Sequence, residues 1–426
     1  MKILVVSSLY PPDTVGGYEM GCRQAVDALI ARGHEVRVLT TAPRTPCASA
    51  PHVLRSLKLT DMWDYYSDGL STPAAVRLKE AEAFQINAFN VHVMLGQLGE
   101  FEPDVVYLWM LVGIGGLGLL GCLHHLRTPW VWHLMDEVPS KLCTQFYRVQ
   151  PALAAEFSRQ IRGTFLACSG QLVETIERSG IELGSRVEVV PNWVVGGRPA
   201  PRKGYSSVGR IKIASAAALL DRNYDKGIDL LIEAAGLLRE EGVEGFTLDL
   251  FGKATDGYFM DLIRSRGVGD AVTLMGPLDQ ADLIERYSEY DVFGFPGRTK
   301  EPFAFAPLEA MTRGCAAVVN RANGEAEWFV HGVDCLKVER SARGFATAFR
   351  QLIEGTVPLE SIARRGQAVV WRDFQLDAIA PRIEHALNEA ARRDRSGAGT
   401  AADAYRMAVL AEKLTYLFMQ DATACA

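Results

Sequence analysis

The stretch Glu301-Pro302-Phe303-Ala304-Phe305-Ala306-Pro307-Leu308-Glu309 places two carboxylates eight residues apart around an apolar, proline-bearing core. The spacing alone says little, because Glu174/Glu182 and Glu233/Glu241 repeat it in or beside ordinary helical patterns. The setting says more. The stretch follows an apolar strand at 292–295 and a loop, and it opens a helix with Pro307 in the first turn and Gly314 after the last, the asymmetry expected of helix ends. Amides near Phe303, Ala304 and Phe305 then point out of a helix N-terminus beyond a strand's carboxyl end, where anions bind in open α/β sheets. Glu301 falls in the loop and Glu309 within about the first turn. A phosphate on those amides has a carboxylate on either side to accept bonds from hydroxyls, which suits a sugar nucleotide. A solvated helix cap would use the same residues.

Asp221-Arg222-Asn223-Tyr224-Asp225-Lys226-Gly227 lies between a strand at 211–217 and a helix at 227–240. Lys226, just ahead of a helix N-terminus, can reach a diphosphate as a point charge, though most single lysines are simply solvated. Arg222 is a second cation in the same segment. In the first half, Pro11-Pro12-Asp13-Thr14-Val15-Gly16-Gly17 joins a strand to a helix, and the adjacent Gly16 and Gly17 let backbone amides approach a ligand. A GxGxxG occurs at Gly113, Gly115 and Gly118, after a strand at 104–109 and ahead of Asp136, and it satisfies the dinucleotide-binding rule. Its loop is too long for the tight turn and lies in mid-domain, which favours close packing of a buried helix. His133, at the carboxyl end of a strand at 130–134, divides evenly between a structural core histidine and a ligand contact. No Asp-x-Asp, HExxH, GxSxG or His/Cys ligand cluster occurs, so no metal and no resident cofactor is expected. Neutralising phosphate falls to Lys226 and the helix N-terminus.

These residues need strands and helices in alternation to hold them. Apolar strands are expected at 2–7, 35–40, 104–109, 130–134, 163–168 and 187–190, with a helix at 18–31 that stops at Arg32-Gly33. Residues 195–209, rich in Gly, Pro and basic side chains, read as a linker. The rhythm restarts with strands at 211–217, 247–251, 272–275, 292–295 and 316–320, and helices at 227–240, 258–265, 280–288, 307–313 and 342–353. The fold class is α/β with two doubly wound parallel-sheet domains. The expected organisation is an N-terminal domain at 1–195, a linker at 196–208, a second domain at 209–370, and closing helices at 371–426 that pack partly back on the first. Within the last, helices are expected at 376–392 and 402–419.

Composition sets the outer limits. The 426 residues are 48% hydrophobic and 23% charged, with a net charge of −6, which excludes a disordered or fibrous chain and argues against a nucleic-acid surface. Eight cysteines without a CxxC pair read as reduced residues of a cytoplasmic protein, and the opening strand lacks the features of a signal peptide. Residues 105–123 carry no charge, but five glycines interrupt them. A buried strand, turn and helix is favoured there over a membrane span, and peripheral membrane contact is left open.

Taken in order, the motifs resemble the retaining nucleotide-sugar glycosyltransferases of family 4, which have the two-domain GT-B fold. The resemblance runs through Tyr10-Pro11-Pro12, Gly16-Gly17, Arg32-Gly33-His34-Glu35-Val36, Cys168-Ser169 and Val190-Pro191-Asn192. It continues through Lys226-Gly227, Phe251-Gly252, Gly276, Asp291-Val292, Glu301 to Glu309-Ala310-Met311, Gly314, Gly324 and Glu327, to about residue 375. It implies two Rossmann-like domains with an intervening cleft, and a metal-independent transfer of sugar from a nucleoside diphosphate to an acceptor hydroxyl. It implies that Glu309 bonds the ribose, Glu301 the transferred sugar, and Lys226 the diphosphate. The amides of Phe303, Ala304 and Phe305 would meet sugar or phosphate, Asn192 would join the donor site, and Gly17 would let the first domain's backbone close on the phosphate. Three positions depart from the pattern. Ser215-Ala216-Ala217 lacks the usual arginine, for which Arg222 is the nearest substitute; Met135 replaces the histidine before Asp136, leaving His133 to supply an imidazole; and Ala304 replaces a glycine. The acceptor could be a glycan, lipid or small molecule, and the segment 45–97, with Trp63, Tyr65, Tyr66 and Phe84, lies where acceptors bind in this fold. The alternatives are a phosphorylase or epimerase of the same fold, an inactive binding partner, and a dinucleotide-dependent oxidoreductase using Gly113, Gly115 and Gly118.

Overall fold

A computed structural model describes residues 1–14, 16–44, 50–60, 79–143, 158–160, 163–199, 202, 204–221 and 226–392. Arg222, Trp63, Tyr65, Tyr66 and the expected helix at 402–419 lie outside the described residues. The chain forms two compact units. The first comprises 1–168, 172–190 and 380–426, and the second 169–171 and 191–379.

The first unit contains β1 (Lys2–Val6), α1 (Gly17–Ala31), β2 (Glu35–Thr41), β3 (Val53–Leu57), α2 (Ala88–Phe101), β4 (Val105–Leu108) and α3 (Gly116–His125). It continues with β5 (Trp130–Leu134), α4 (Val138–Leu142), β6 (Thr164–Ala167), most of α5 (Gly170–Arg178) and β7 (Val187–Val189). The strands form one sheet in the order β3-β2-β1-β4-β5-β6-β7, parallel throughout. β1 is apolar because helices cover both faces, and Ile3 to Val6 are fully buried.

The second unit contains β8 (Ile211–Leu220), α6 (Ile228–Glu240), β9 (Phe246–Ala254), α7 (Tyr258–Ser265), β10 (Val272–Gly276), α8 (Gln280–Arg286) and β11 (Val292–Phe295). It goes on with α9 (Phe305–Thr312), β12 (Ala316–Asn320), β13 (Leu336–Val338), α10 (Ala342–Ile353), α11 (Leu359–Asp373) and the start of α12 (Leu376–Arg392). Its parallel sheet runs β10-β9-β8-β11-β12-β13. Its core packs Leu231, Ile232 and Leu238 of α6 against Leu248, Leu250, Val292 and Phe349.

Both units are therefore doubly wound, each with one point where strand order reverses: β1/β4 in the first and β8/β11 in the second. Connections leaving the two strands of such a pair turn to opposite faces, which opens a crevice at their carboxyl ends. Residues 191–194 belong to the second unit because Val194 exchanges backbone bonds with the α11–α12 junction (Val194 N to Phe374 O, 2.8 Å; Leu376 N to Val194 O, 3.1 Å). From Ala380 onward α12 belongs to the first unit, where Glu384 accepts bonds from Arg32 (2.7 Å) and His34 (2.9 Å) beyond the C-terminal end of α1.

β3, α2, β13 and α11 were not anticipated. β3 and β13 are short edge strands, and their mixed burial erases the continuous apolar run that marks a central strand. The charge-free run at 105–123 is β4, a glycine turn and most of α3. Among the described residues, no helix is long and apolar enough to cross a membrane.

Candidate functional site

The loop after β8 carries Lys226, and the loop after β11 carries Glu301, so both stand at the second unit's reversal point. Lys226 Nζ lies 2.8 Å from Glu301 Oε2, with the two side chains only 16% and 7% exposed. Gly227 makes this meeting possible: its φ is +71°, and a Cβ there would stand 2.6 Å from that of Pro296. The backbone N–H of Arg298 also donates to Glu301 Oε2 (3.2 Å). Glu301 thus lies between Lys226 and the Arg298 backbone and guanidinium.

α9 begins at Phe305, with Ala304 as its N-cap and Pro307 as its third residue. Phe305 and Ala306 are half-buried residues in its first turn, where amides have no acceptor within their own helix. Of the expected trio at 303–305, the amide of Ala304 already has an acceptor. The Ala304 N–H donates to buried Glu325 (3.2 Å), and the Phe303 carbonyl accepts from the Asn192 side chain (3.3 Å). Asn192 is fully buried, so it braces the loop from behind.

Glu309, the fifth residue of α9, is 9% exposed, and burial pushes its carboxyl up to about 7 against a bond from Gln280 Nε2 to Oε1 (2.6 Å). Glu325 is fully buried, and burial followed by the charge of Glu301 pushes it up to about 8. It accepts from Asn323 Nδ2 (2.8 Å) as well as from Ala304. The segment 323–327 fastens the Glu301 loop at a second point, where Gly324 N donates to Glu301 O (2.9 Å). Glu327 accepts from the amides of Gly170 and Gln171 at 2.8 and 2.6 Å, which caps α5. Gln280 and Glu325 were missed. An exposed glutamine at a helix start and a glutamate in an irregular segment carry no motif.

In the first unit, Gly16 and Gly17 occupy the loop after β1, at the other reversal point, and both are exposed. Gly16 is the N-cap of α1, and its N–H donates to Glu19 Oε2 (3.0 Å), so Gly17 presents the outer amide. Arg55 of β3, which sequence reading overlooked, holds this loop through the carbonyls of Tyr10 (3.4 Å) and Pro11 (2.5 Å).

His133 is fully buried, stacked on Trp109 (centroids 4.4 Å apart), with Nδ1 2.7 Å from the Tyr107 hydroxyl. Burial pushes the imidazole down to about 3, so it is neutral at working pH. That is the core-histidine reading. Replacing it with Phe should lower the melting temperature, since the Tyr107 hydroxyl loses a partner worth about 1–3 kcal/mol, while kcat stays within about threefold of wild type. A folded His133→Phe enzyme without turnover would restore a chemical role.

The glycine turn at 113–118 is a packing device. The amides of Gly113 and Gly115 both donate to the Ala83 carbonyl (2.9 Å each), and a Cβ on Gly115 would stand 2.2 Å from Asn87 N. Those amides are spent on the protein's own backbone, which removes the basis for a dinucleotide site. Among the described residues, no group of three or more His, Cys, Asp or Glu side chains is placed to hold a metal ion.

Residues 209–369 match the family model described as glycosyl transferases group 1, and residues 16–193 match a glycosyl transferase 4-like domain. A glycogen synthase of Mycobacterium tuberculosis (strain CDC 1551 / Oshkosh) is 25% identical over 428 residues, spanning 93% of this chain and 96% of that protein. Sucrose-phosphate synthase from Thermosynechococcus elongatus shares the fold at a TM-score of 0.66 and 17% identity, covering 91% of this chain and 98% of that one. Anabaena HepE in complex with UDP does so at 0.65 and 19%, covering 91% and 100%.

Proposed function

Because the chain belongs to the GT-B glycosyltransferases of the family 4 type, we propose that it transfers a sugar from a nucleoside diphosphate to an acceptor hydroxyl, with retention and without a metal. The observation that carries this reading is the Lys226–Glu301 pair at the β8/β11 reversal point, one short loop from the N-terminus of α9. Lys226 and the Phe305 and Ala306 amides supply positive charge for the departing diphosphate. Glu301 accepts bonds from hydroxyls of the transferred sugar, and Glu309 from the ribose. Catalysis is then positioning and charge stabilisation, with the acceptor hydroxyl attacking from the face the diphosphate leaves. Cytoplasm is the proposed location, supported by free cysteines at 22, 122, 143, 168, 315 and 335.

Anabaena HepE was captured with UDP and with UDP-glucose, so uridine donors are the first to assay. Donor hydrolysis across UDP-, GDP-, ADP- and dTDP-sugars, with NMR of the new anomeric centre and an EDTA control, tests the reading. An inverted product, or activity abolished by EDTA and restored by Mg²⁺, would contradict the retention or metal clause respectively. Glu301→Gln should bind the free nucleoside diphosphate normally while losing about 10²-fold in transfer, because its contact is with the sugar. Normal transfer by that variant would remove Glu301 from the sugar's binding set.

A further inference from the structure

We infer that Glu325 couples a proton to donor binding: a nucleoside diphosphate bound at the N-terminal end of α9 draws a proton from solvent onto this buried carboxylate. The inference rests on the donor reading above. Glu325 is fully buried, and each of its carboxylate oxygens has its own N–H donor. Oε2 accepts from the amide of Ala304, the N-cap of α9 (3.2 Å), and Oε1 accepts from Asn323 Nδ2 (2.8 Å). Asn323 is buried in turn, and its Oδ1 accepts from Asn320 Nδ2 at 3.1 Å. The next residue, Gly324, ties the same segment to the Glu301 carbonyl. Glu325 is therefore wired both to the first amide ahead of α9 and to the loop that carries Glu301.

Two donors on two oxygens favour the ionised acid, whereas burial and the charge of Glu301 oppose it and push it up to about 8. Such a balance yields to any further charge. The titratable groups facing Glu325 are Glu301, from the loop after β11, and the Cys335 thiol, just ahead of β13. Burial pushes Cys335 up to about 12, so it stays neutral and Glu301 is the charge that bears on Glu325. Glu301 is itself paired with Lys226 at 2.8 Å. A diphosphate that engages Lys226 and the first-turn amides of α9 adds negative charge at that end of the helix. It also draws the lysine's charge away from Glu301. Both changes oppose an ionised Glu325, so the complex holds the proton more tightly than the free protein does. By reciprocity the donor binds the protonated form better, and affinity falls as pH rises through about 8. Glu309, near 7, has the opposite sign, because accepting from a ribose hydroxyl calls for the ionised acid.

The test is calorimetric titration of the full chain with UDP, GDP and ADP in pairs of buffers that differ in ionisation enthalpy, which reads the protons exchanged on binding. Near pH 8 the wild type should take up roughly a third to a half of a proton per nucleotide. Its affinity should fall about three- to tenfold between about pH 7 and 9.5. Glu325→Gln has no proton to take up, so its uptake should vanish and its affinity should stay within about twofold over the same range. Asn323→Ala removes a donor to the ionised acid and should move the fall to higher pH. A purely structural Glu325 would alter melting temperature or overall affinity in these variants and leave the proton count unchanged. A wild type that binds nucleotide without taking up a proton overturns the inference, as does an uptake that persists in Glu325→Gln. Should Glu325→Gln fail to fold, an unmoved fall in Asn323→Ala overturns it equally. A wild type that binds none of the three nucleotides overturns the donor reading, and the inference with it.

Discussion

Lys226→Ala should fold, yet lose about 10²–10³-fold in kcat with any sugar nucleotide the wild type turns over. On the proposed function the departing diphosphate gains charge as the glycosidic bond breaks, and Lys226, only 16% exposed, is a cation that the fold brings to the reversal point beside α9. A fixed charge in a partly dry site counts for more than the same charge in water. The substitution also leaves Glu301 without its lysine, and losing one partner of a buried pair costs on the order of 3 kcal/mol. The Arg298 guanidinium, 3.4 Å from the same carboxylate and 38% exposed, offsets part of that. Combining Lys226→Ala with Glu301→Gln isolates the stability effect: melting temperature should recover, while the loss of turnover is read from Lys226→Ala alone. Lys226→Arg should retain only part of the activity, since a planar fork does not replace a compact ammonium. Steady-state kinetics with thermal melting check all three variants, and wild-type turnover in Lys226→Ala would sink the phosphate role.

Gly324→Ala should be the most damaging change of a single methyl group. A Cβ at this position would stand 1.7 Å from Pro302 O and 2.4 Å from Ser169 Oγ, while Ser169 already donates to that carbonyl at 2.7 Å. No rotamer relieves a clash with backbone. The loop bearing Glu301 must move away, breaking the bond from Gly324 N to Glu301 O and pulling Ala304 off Glu325. Overpacking of this kind costs about 3 kcal/mol or more. A displacement near 1 Å at Glu301 would cost about 10²-fold in turnover as well. Differential scanning calorimetry and donor hydrolysis read both; a variant with native melting temperature and native turnover would show that this loop does not position the sugar contact.

The parts of the site legible in the sequence were those with a local cause. Pro307 near the start of α9 and Gly314 beyond its end announce a helix from its own residues, and a lysine before Gly227 announces a tight approach. Glu301, Glu309 and Lys226 are proposed on those grounds. Gln280 and Glu325 were not, because what matters about them is the partner, and that partner lies 29 residues away for Gln280 and 21 for Glu325. His133 shows the same limit from the other side. Strand position places it at the carboxyl end of β5, but only packing against Trp109 and Tyr107 decides that the imidazole stays inside.

The sequence by itself determined the alternation of apolar strands and amphipathic helices, and the two doubly wound sheets that follow from it. Periodicity, helix caps and glycine are properties of neighbouring residues, so they survive in one dimension. Tertiary structure alone decided that the Ala304 amide is taken up by Glu325, that Lys226 meets Glu301 at 2.8 Å, and that the glycine turn at 113–118 spends the amides of Gly113 and Gly115 on Ala83. Each of these depends on how strand order brings distant loops to one reversal point, and the free energy that selects that order comes from burying the whole core, which no short stretch of sequence encodes.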